Sequence, residues 1–248
     1  MSDQVIVTDA DGIRTIRMNR PEKKNALTRA MYETMTHAFE TANTAEAVRC
    51  VLIAGAPGAF CAGNDLADFL AATETGSARP ALEFLPALAR CSKPMVAAVS
   101  GVAVGVGATL LLHCDYIVAG TDAHLVTPFA ALGLVPEAAS SLLGPRLMGQ
   151  RRAFEFLVMG HPLDGAKAKE FGVANVVVPP NEVDAVALKA ACEIAALPPG
   201  AVALARRLMR GTPDEIVARI DEEARIFSER LRSPEAKAAF EAFFARKR

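Results

Sequence analysis

A chain of 248 residues, 52% hydrophobic and only 22% charged, can bury a sizeable core, either as one large domain or as a domain with a small appendage. Its formal net charge of -1 removes the electrostatic case for nucleic acid or an anionic membrane as a partner. Its five cysteines (Cys50, Cys61, Cys91, Cys114 and Cys192) are odd in number and show no CxxC spacing, which argues against a disulfide framework or a zinc site and for a reducing compartment. The N-terminus runs straight into a strand pattern, and the longest apolar run, Val102–Leu112, is too short to span a bilayer. The expectation is a soluble, cytoplasmic protein.

Gln4–Thr8 and Ile13–Met18 alternate with period two around Asp9–Gly12, a hairpin signal. After the polar loop Asn19–Asn25, Thr28 is placed to cap a helix to about Asn43, with Leu27, Met31, Met35 and Phe39 on one face. Val48–Ala54 is expected as a buried strand, followed by the turn Gly55–Gly58. Phe60–Phe69 begins extended and turns at Ala62-Gly63; Thr73–Pro80 is a small-residue loop and Leu82–Ala89 a helix. Pro94–Ser100 is a second apolar strand, Gly101–Gly107 a turn into a helix ending near His113, and Asp115–Ala119 a third strand. Helices then dominate, at Ala138–Met148, Arg151–Val158 and Asp164–Phe171; the short strand Asn175–Val178 intervenes. Four more follow at about Glu182–Ala196, Gly200–Arg210, Pro213–Arg230 and Pro234–Arg246. Thr212-Pro213-Asp214-Glu215 has the form of a capping box. The fold class expected is α/β, with a core over 1–196 and a helical C-terminal region over 197–248.

Thr127–Ser141, TPFAALGLVPEAASS, carries the one chemical peculiarity. Glu137 is the only charge between Asp122 and Arg146. A carboxylate buried in so apolar a run is raised in pKa, which suits a general base at carbon. The other reading of the same stretch is a helix start, with Pro136 at the first position and an acid in the first turn. Two glycine turns each follow an apolar strand: Phe60–Leu66 and Gly101–Gly107. The second has the wrong spacing for a dinucleotide fingerprint. Gly105 and Gly107 instead free the amide of Val106 at a helix start, and the turn at Ala62–Asn64 can do the same. Two amides on one oxygen form an oxyanion hole; the alternative for either turn is tight packing of strand on helix.

Taken together, NRPEKKNAL at Asn19–Leu27, AFCAGNDL at Ala59–Leu66, KPMVAAVSGVAVGVGATLLLHCD at Lys93–Asp115 and TPFAALGLVPEAASS resemble the crotonase (enoyl-CoA hydratase/isomerase) superfamily over nearly the whole chain. The resemblance implies a spiral of ββα turns with a helical C-terminal trimerisation region, an acyl-CoA thioester as substrate, no separate cofactor, and a homotrimer or dimer of trimers. It implies that the amides of Asn64 and Val106 hold an enolate oxygen. It also implies that substrate lies against Lys24, Ala26, Ala62, Asn64, Asp65, Leu66, Gly105, Val106, Pro128, Phe129 and Leu132. Superfamily hydratases carry two acids at positions held here by Thr109 and Phe129. The PF…LG…PE-x-x-SS pattern and Leu197–Ala201 instead look like the peroxisomal-type Δ3,Δ2-enoyl-CoA isomerases, whose single glutamate is here Glu137. By the same analogy Lys23, Lys24 and Lys247 are partners for CoA phosphates. The acyl pocket would be shaped by Thr73–Pro80, Leu82–Leu88 and the helix after Glu137.

Other candidates carry less. Cys61 and Cys114 are expected to be structural rather than nucleophilic, and His113 to cap a helix end beside Asp115. Ser140 and Ser141 lack a nucleophile's setting; His37, His124 and His161 show no ligand spacing. Asp65 is expected to fix the first turn. The expected activity is a Δ3,Δ2-enoyl-CoA isomerase of fatty acid degradation; the alternatives are another crotonase reaction such as hydration, or a non-catalytic acyl-CoA-binding module.

Overall fold

The computed structural model describes residues 3–65, 68 and 79–245. The chain opens on an antiparallel hairpin of β1 (Val5–Ala10) and β2 (Ile13–Met18). Asp11 and Gly12 both take positive φ, 52° and 79°, as a two-residue turn matched to strand twist requires. Helix α1 (Arg29–Thr44) follows, capped by Thr28, whose hydroxyl accepts the Met31 N–H.

One unit then recurs three times: a strand joins a first sheet, the next strand joins a second, and helical chain follows. β3 (Cys50–Gly55), β5 (Met95–Val99) and β7 (Tyr116–Gly120) enter the first sheet; β4 (Ala59–Cys61), β6 (Val102–Val104) and β8 (His124–Val126) enter the second. The returning helices are α2 (Arg79–Ala89), α3 (Val106–Thr109) running into a 3-10 turn over Leu110–His113, and α4 (Ser140–Met148) with α5 (Gln150–Leu157). Beyond them β9 (Leu163–Asp164) pairs antiparallel with β8, and α6 (Gly165–Glu170) leads to β10 (Val176–Val178) at the edge of the first sheet. The strand orders are β1-β2-β3-β5-β7-β10 and β4-β6-β8-β9. This is the expected α/β spiral of ββα turns.

The first sheet is parallel from β2 onward and buried on both faces, which is why its strands are continuous apolar runs. Val51, Ile53, Ala97 and Val99 face a core shared with Met31, Met35 and Phe39 of α1. Their neighbours Cys50, Leu52, Val96, Ala98 and Val118 face α7 (Val183–Ala196), which presents Val183, Ala187, Ala191 and Ala195. Burying one such aliphatic side chain stabilises by about 1.5–3 kcal/mol. The last helices are α8 (Pro199–Arg210), α9 (Pro213–Leu231) and α10 (Pro234–Ala245).

Three expectations are corrected. β6 and β8 are strands of three residues, whereas Val102–Val104 had the look of a turn and His124–Val126 gave no signal; so short a strand has no usable period and is made by its neighbours. The first turn of α9 has no capping bond from Thr212, and the Glu215 carboxylate that a capping box would turn back on the Thr212 N–H pairs instead with Arg146 at 2.6 Å, a charge-assisted bond. The helix after Pro136 begins at Ser140, so Glu137 precedes it rather than starting it. Among the described residues no single helix is long and apolar enough to cross a membrane, and all five cysteines are free.

Candidate active site

β4 and β6 run parallel with Ala59 opposite Val102 and Cys61 opposite Ala103, so their following turns leave the second sheet side by side. The turns touch without room for a side chain. A Cβ on Gly63 would sit 2.8 Å from the Val104 carbonyl oxygen, and one on Gly107 would sit 2.5 Å from the Cys61 carbonyl oxygen and 3.0 Å from its Sγ. Gly105 anchors the second turn to β8 by donating its N–H to Val126. Val106 is the first residue of α3, ahead of any intrahelical acceptor. Leu27 bonds to the residues on either side of Asn64, donating to Gly63 and accepting from Asp65, and leaves the Asn64 amide out of the pairing. Among the described residues neither the Asn64 nor the Val106 N–H has a partner within the protein, so the contact sets two free donors in adjoining loops.

The loop before α1 supports the first turn. Ala62 donates its N–H to the Lys24 carbonyl, and Arg20 binds the Asp65 carboxylate at 2.7 Å and the Ala26 carbonyl at 3.1 Å. Asp65 thus fixes the turn, as expected. Ala26 and Ala62 are half-buried, and the Lys24 side chain is exposed. Leu66, most of the loop at 73–80 and Lys247 lie outside the described residues.

Glu137 arrives from the third unit. Thr127 is buried; Pro128 and Leu132 are half-buried, and Phe129 packs into the core. Thr109 is fully buried, its hydroxyl donating to the Gly105 carbonyl. Neither Thr109 nor Phe129 supplies a carboxylate. Glu137 is half-buried as a residue, and among the described residues its carboxylate makes no hydrogen bond. Burial, with the Glu223 charge adding to it, pushes its pKa up to about 7. The Tyr32 hydroxyl and Cys61 thiol are pushed up by burial first and by the Glu137 charge besides.

The profile of the enoyl-CoA hydratase/isomerase family matches residues 8–248. The chain belongs to this family. It is similar to enoyl-CoA delta isomerase 2 of Rattus norvegicus, 35% identical over 228 residues that make up 90% of this chain and 58% of the rat protein; the chain thus spans less than two thirds of that relative's length. It is also similar to a probable enoyl-CoA hydratase of Rhizobium meliloti, 29% identical over 100% of this chain and 98% of that protein. The crystal structure of an enoyl-CoA hydratase/isomerase from Pseudoalteromonas atlantica T6c superposes with a TM-score of 0.93, at 38% identity over 98% of each chain.

Within this enoyl-CoA hydratase/isomerase fold, two residues that the sequence reading passed over border the site. Tyr32 of α1 donates its hydroxyl to the Asn64 side chain at 2.6 Å and packs its ring against Phe84. Glu223 of α9 is 5% exposed and accepts the N–H groups of Ala139 at 2.6 Å and Ser141 at 3.0 Å. A signal for Glu223 was present: it interrupts the apolar stripe of Ile216, Val217 and Ile220 at helical spacing. His113 is corrected from a charged helix cap to a buried neutral ring. Its pKa is pushed down to about 4 by burial, and its Nε2 holds the Ala138 carbonyl at 2.7 Å. Burial pushes the Cys61 thiol up to about 12 and Cys114 higher still, so neither is a thiolate nucleophile. Among the described residues no group of three or more His, Cys, Asp or Glu could hold a metal ion.

Proposed function

We propose that this enoyl-CoA hydratase/isomerase shifts the double bond of a 3-enoyl-CoA to the 2-position with Glu137 as its base. The observation that carries the reading is one carboxylate, poised near neutrality, in a chain that sets two free backbone donors in adjoining turns and holds Thr109 and Phe129 at the two positions where hydratases carry acids. Glu137 takes the proton from C2 of the thioester. The electron pair moves onto the thioester oxygen as a dienolate, which accepts hydrogen bonds from the Asn64 and Val106 amides. The protonated Glu137 then returns its proton to C4, leaving the double bond between C2 and C3. A base with a pKa close to ambient pH can do both transfers. Ala26, Ala62, Asp65, Leu66, Gly105, Pro128, Phe129 and Leu132 border the substrate in this reading, and Lys24 meets the CoA phosphates. Coenzyme A is part of the substrate, and no separate cofactor is invoked. A cytoplasmic homotrimer or dimer of trimers completes the reading; Leu208 and Met209 of α8, 83% and 87% exposed, support self-association through that helix.

The test is a paired assay on cis- and trans-3-enoyl-CoA and trans-2-enoyl-CoA of several chain lengths. Migration without 3-hydroxyacyl-CoA supports the reading; hydration without migration overturns it and favours the activity named for the Rhizobium relative. Tight binding with neither reaction favours a non-catalytic module. Glu137→Gln is expected to keep CoA-ester binding and lose turnover by at least about 10³-fold; retained turnover removes Glu137 from the chemistry.

A further inference from the structure

Glu137 is followed by two alanines in the left-handed region, Ala138 at φ 60° and Ala139 at φ 53°. Each such residue with a Cβ costs roughly 1–2 kcal/mol, and a pair persists only where its surroundings hold it. The holders come from far along the chain. His113 takes the Ala138 carbonyl, and Glu223 spends both carboxylate oxygens on the N–H groups of Ala139 and Ser141. The same helix reaches the segment again through Arg230, which donates to the Gly133 carbonyl, while a Cβ on Gly133 would meet the α10 backbone at Ala236, 2.8 Å away. A carboxylate offers acceptors to both N–H groups; an amide side chain offers one oxygen and turns a donor toward the other.

We propose that Glu223 is a positioning residue for Glu137, clamping its turn through two backbone N–H groups and setting a second negative charge beside it. The inference rests on Glu137 being the base. The titratable groups around the pair come from four elements. Arg219, one turn earlier on α9, donates to the Ser141 hydroxyl at 3.2 Å and pairs with Glu222 at 3.1 Å. Tyr32 of α1 and Cys61 of β4, on the Glu137 side, stay protonated, and the His113 ring is neutral. Burial raises the Glu223 pKa, and the N–H groups of Ala139 and Ser141 and the Arg219 charge work against that rise, so the bonded carboxylate is the negative neighbour of the base. Loss of the clamp lets two strained residues relax, and a displacement of about 1 Å in a catalytic group costs on the order of 10²-fold in rate.

The experiment is Glu223→Gln in the full chain, with kcat and KM for a 3-enoyl-CoA followed across pH. The expected result is a fall in kcat of about 10- to 100-fold with KM held within about 3-fold. The acid limb of kcat/KM moves to lower pH, because Glu137 must be ionised to act and loses a like charge beside it. A purely structural role lowers the melting temperature and leaves that limb in place, so an unmoved limb overturns the proposal whatever happens to kcat. If the Gln variant does not fold, Glu223→Asp keeps the charge and draws the carboxylate back by one methylene; kcat is expected to fall, and a wild-type kcat overturns the proposal. Glu137→Gln separates the two failures: retained turnover sinks the base, whereas lost turnover with an unmoved Glu223→Gln limb sinks only the clamp.

Discussion

The two halves of the candidate site are built in opposite ways. The donor turns at Ala62–Asn64 and Gly105–Gly107 are backbone devices: parallel pairing of β4 with β6 brings them together, and glycines one residue from each amide let them touch. The Glu137 turn is a side-chain device. Its backbone is strained, and it is held by His113, 25 residues from the carbonyl it binds, and by Glu223, 84 residues from the Ala139 N–H. Local construction makes the donors insensitive to charge and intolerant of a single added carbon. Long-range construction leaves the base tunable by residues that never approach the substrate.

Gly107→Ala is the sharpest way to break that contrast. The added carbon would lie 2.5 Å from the Cys61 carbonyl oxygen, so the second turn has to move off the first. The expected loss is about 10²–10³ in kcat, as for removal of one oxyanion donor, with about 1–3 kcal/mol of stability. A folded variant with wild-type kcat would show that the contact does not set the donors.

Glu137→Gln probes the other half through stability. The Glu137 pKa of about 7 lies above its unfolded value of 4.5. Below pH 4.5 both states hold the proton and nothing is lost. Between 4.5 and 7 the unfolded state ionises first and gains; above 7 the native state bears the full cost, roughly 3–4 kcal/mol at most. The Gln variant is therefore expected to melt higher than the wild type at pH 8 and level with it at pH 4. A difference independent of pH would mean that the carboxylate is not desolvated.

The smallest effect is expected at Tyr32→Phe, which removes one hydrogen bond to the Asn64 side chain and leaves the Asn64 amide in place. A net hydrogen bond of about 1 kcal/mol corresponds to a fall in kcat of about fivefold at most. A larger loss would place the Tyr32 hydroxyl in the chemistry itself and blur the line between a backbone donor site and a side-chain base.

Much of this protein is determined by local sequence. The hairpin at Asp11-Gly12 and the Thr28 cap act within a few residues of themselves, through steric and hydrogen-bonding rules that need no distant partner, and the doubly apolar strands and the glycines of both donor turns are legible as local patterns although their contacts are made across the fold. Glu137 stood out because an unpaired acid in an apolar run has few other uses. Tertiary structure alone decided the rest. The three-residue strands β6 and β8 exist only because β4 and β9 flank them; Glu215 leaves its own helix end for Arg146; and His113 is neutral because the fold buries it. Two consecutive left-handed alanines have no local cause, since alanine prefers the right-handed helix. They are held by Glu223, which reaches them through a contact that spacing along the chain does not encode.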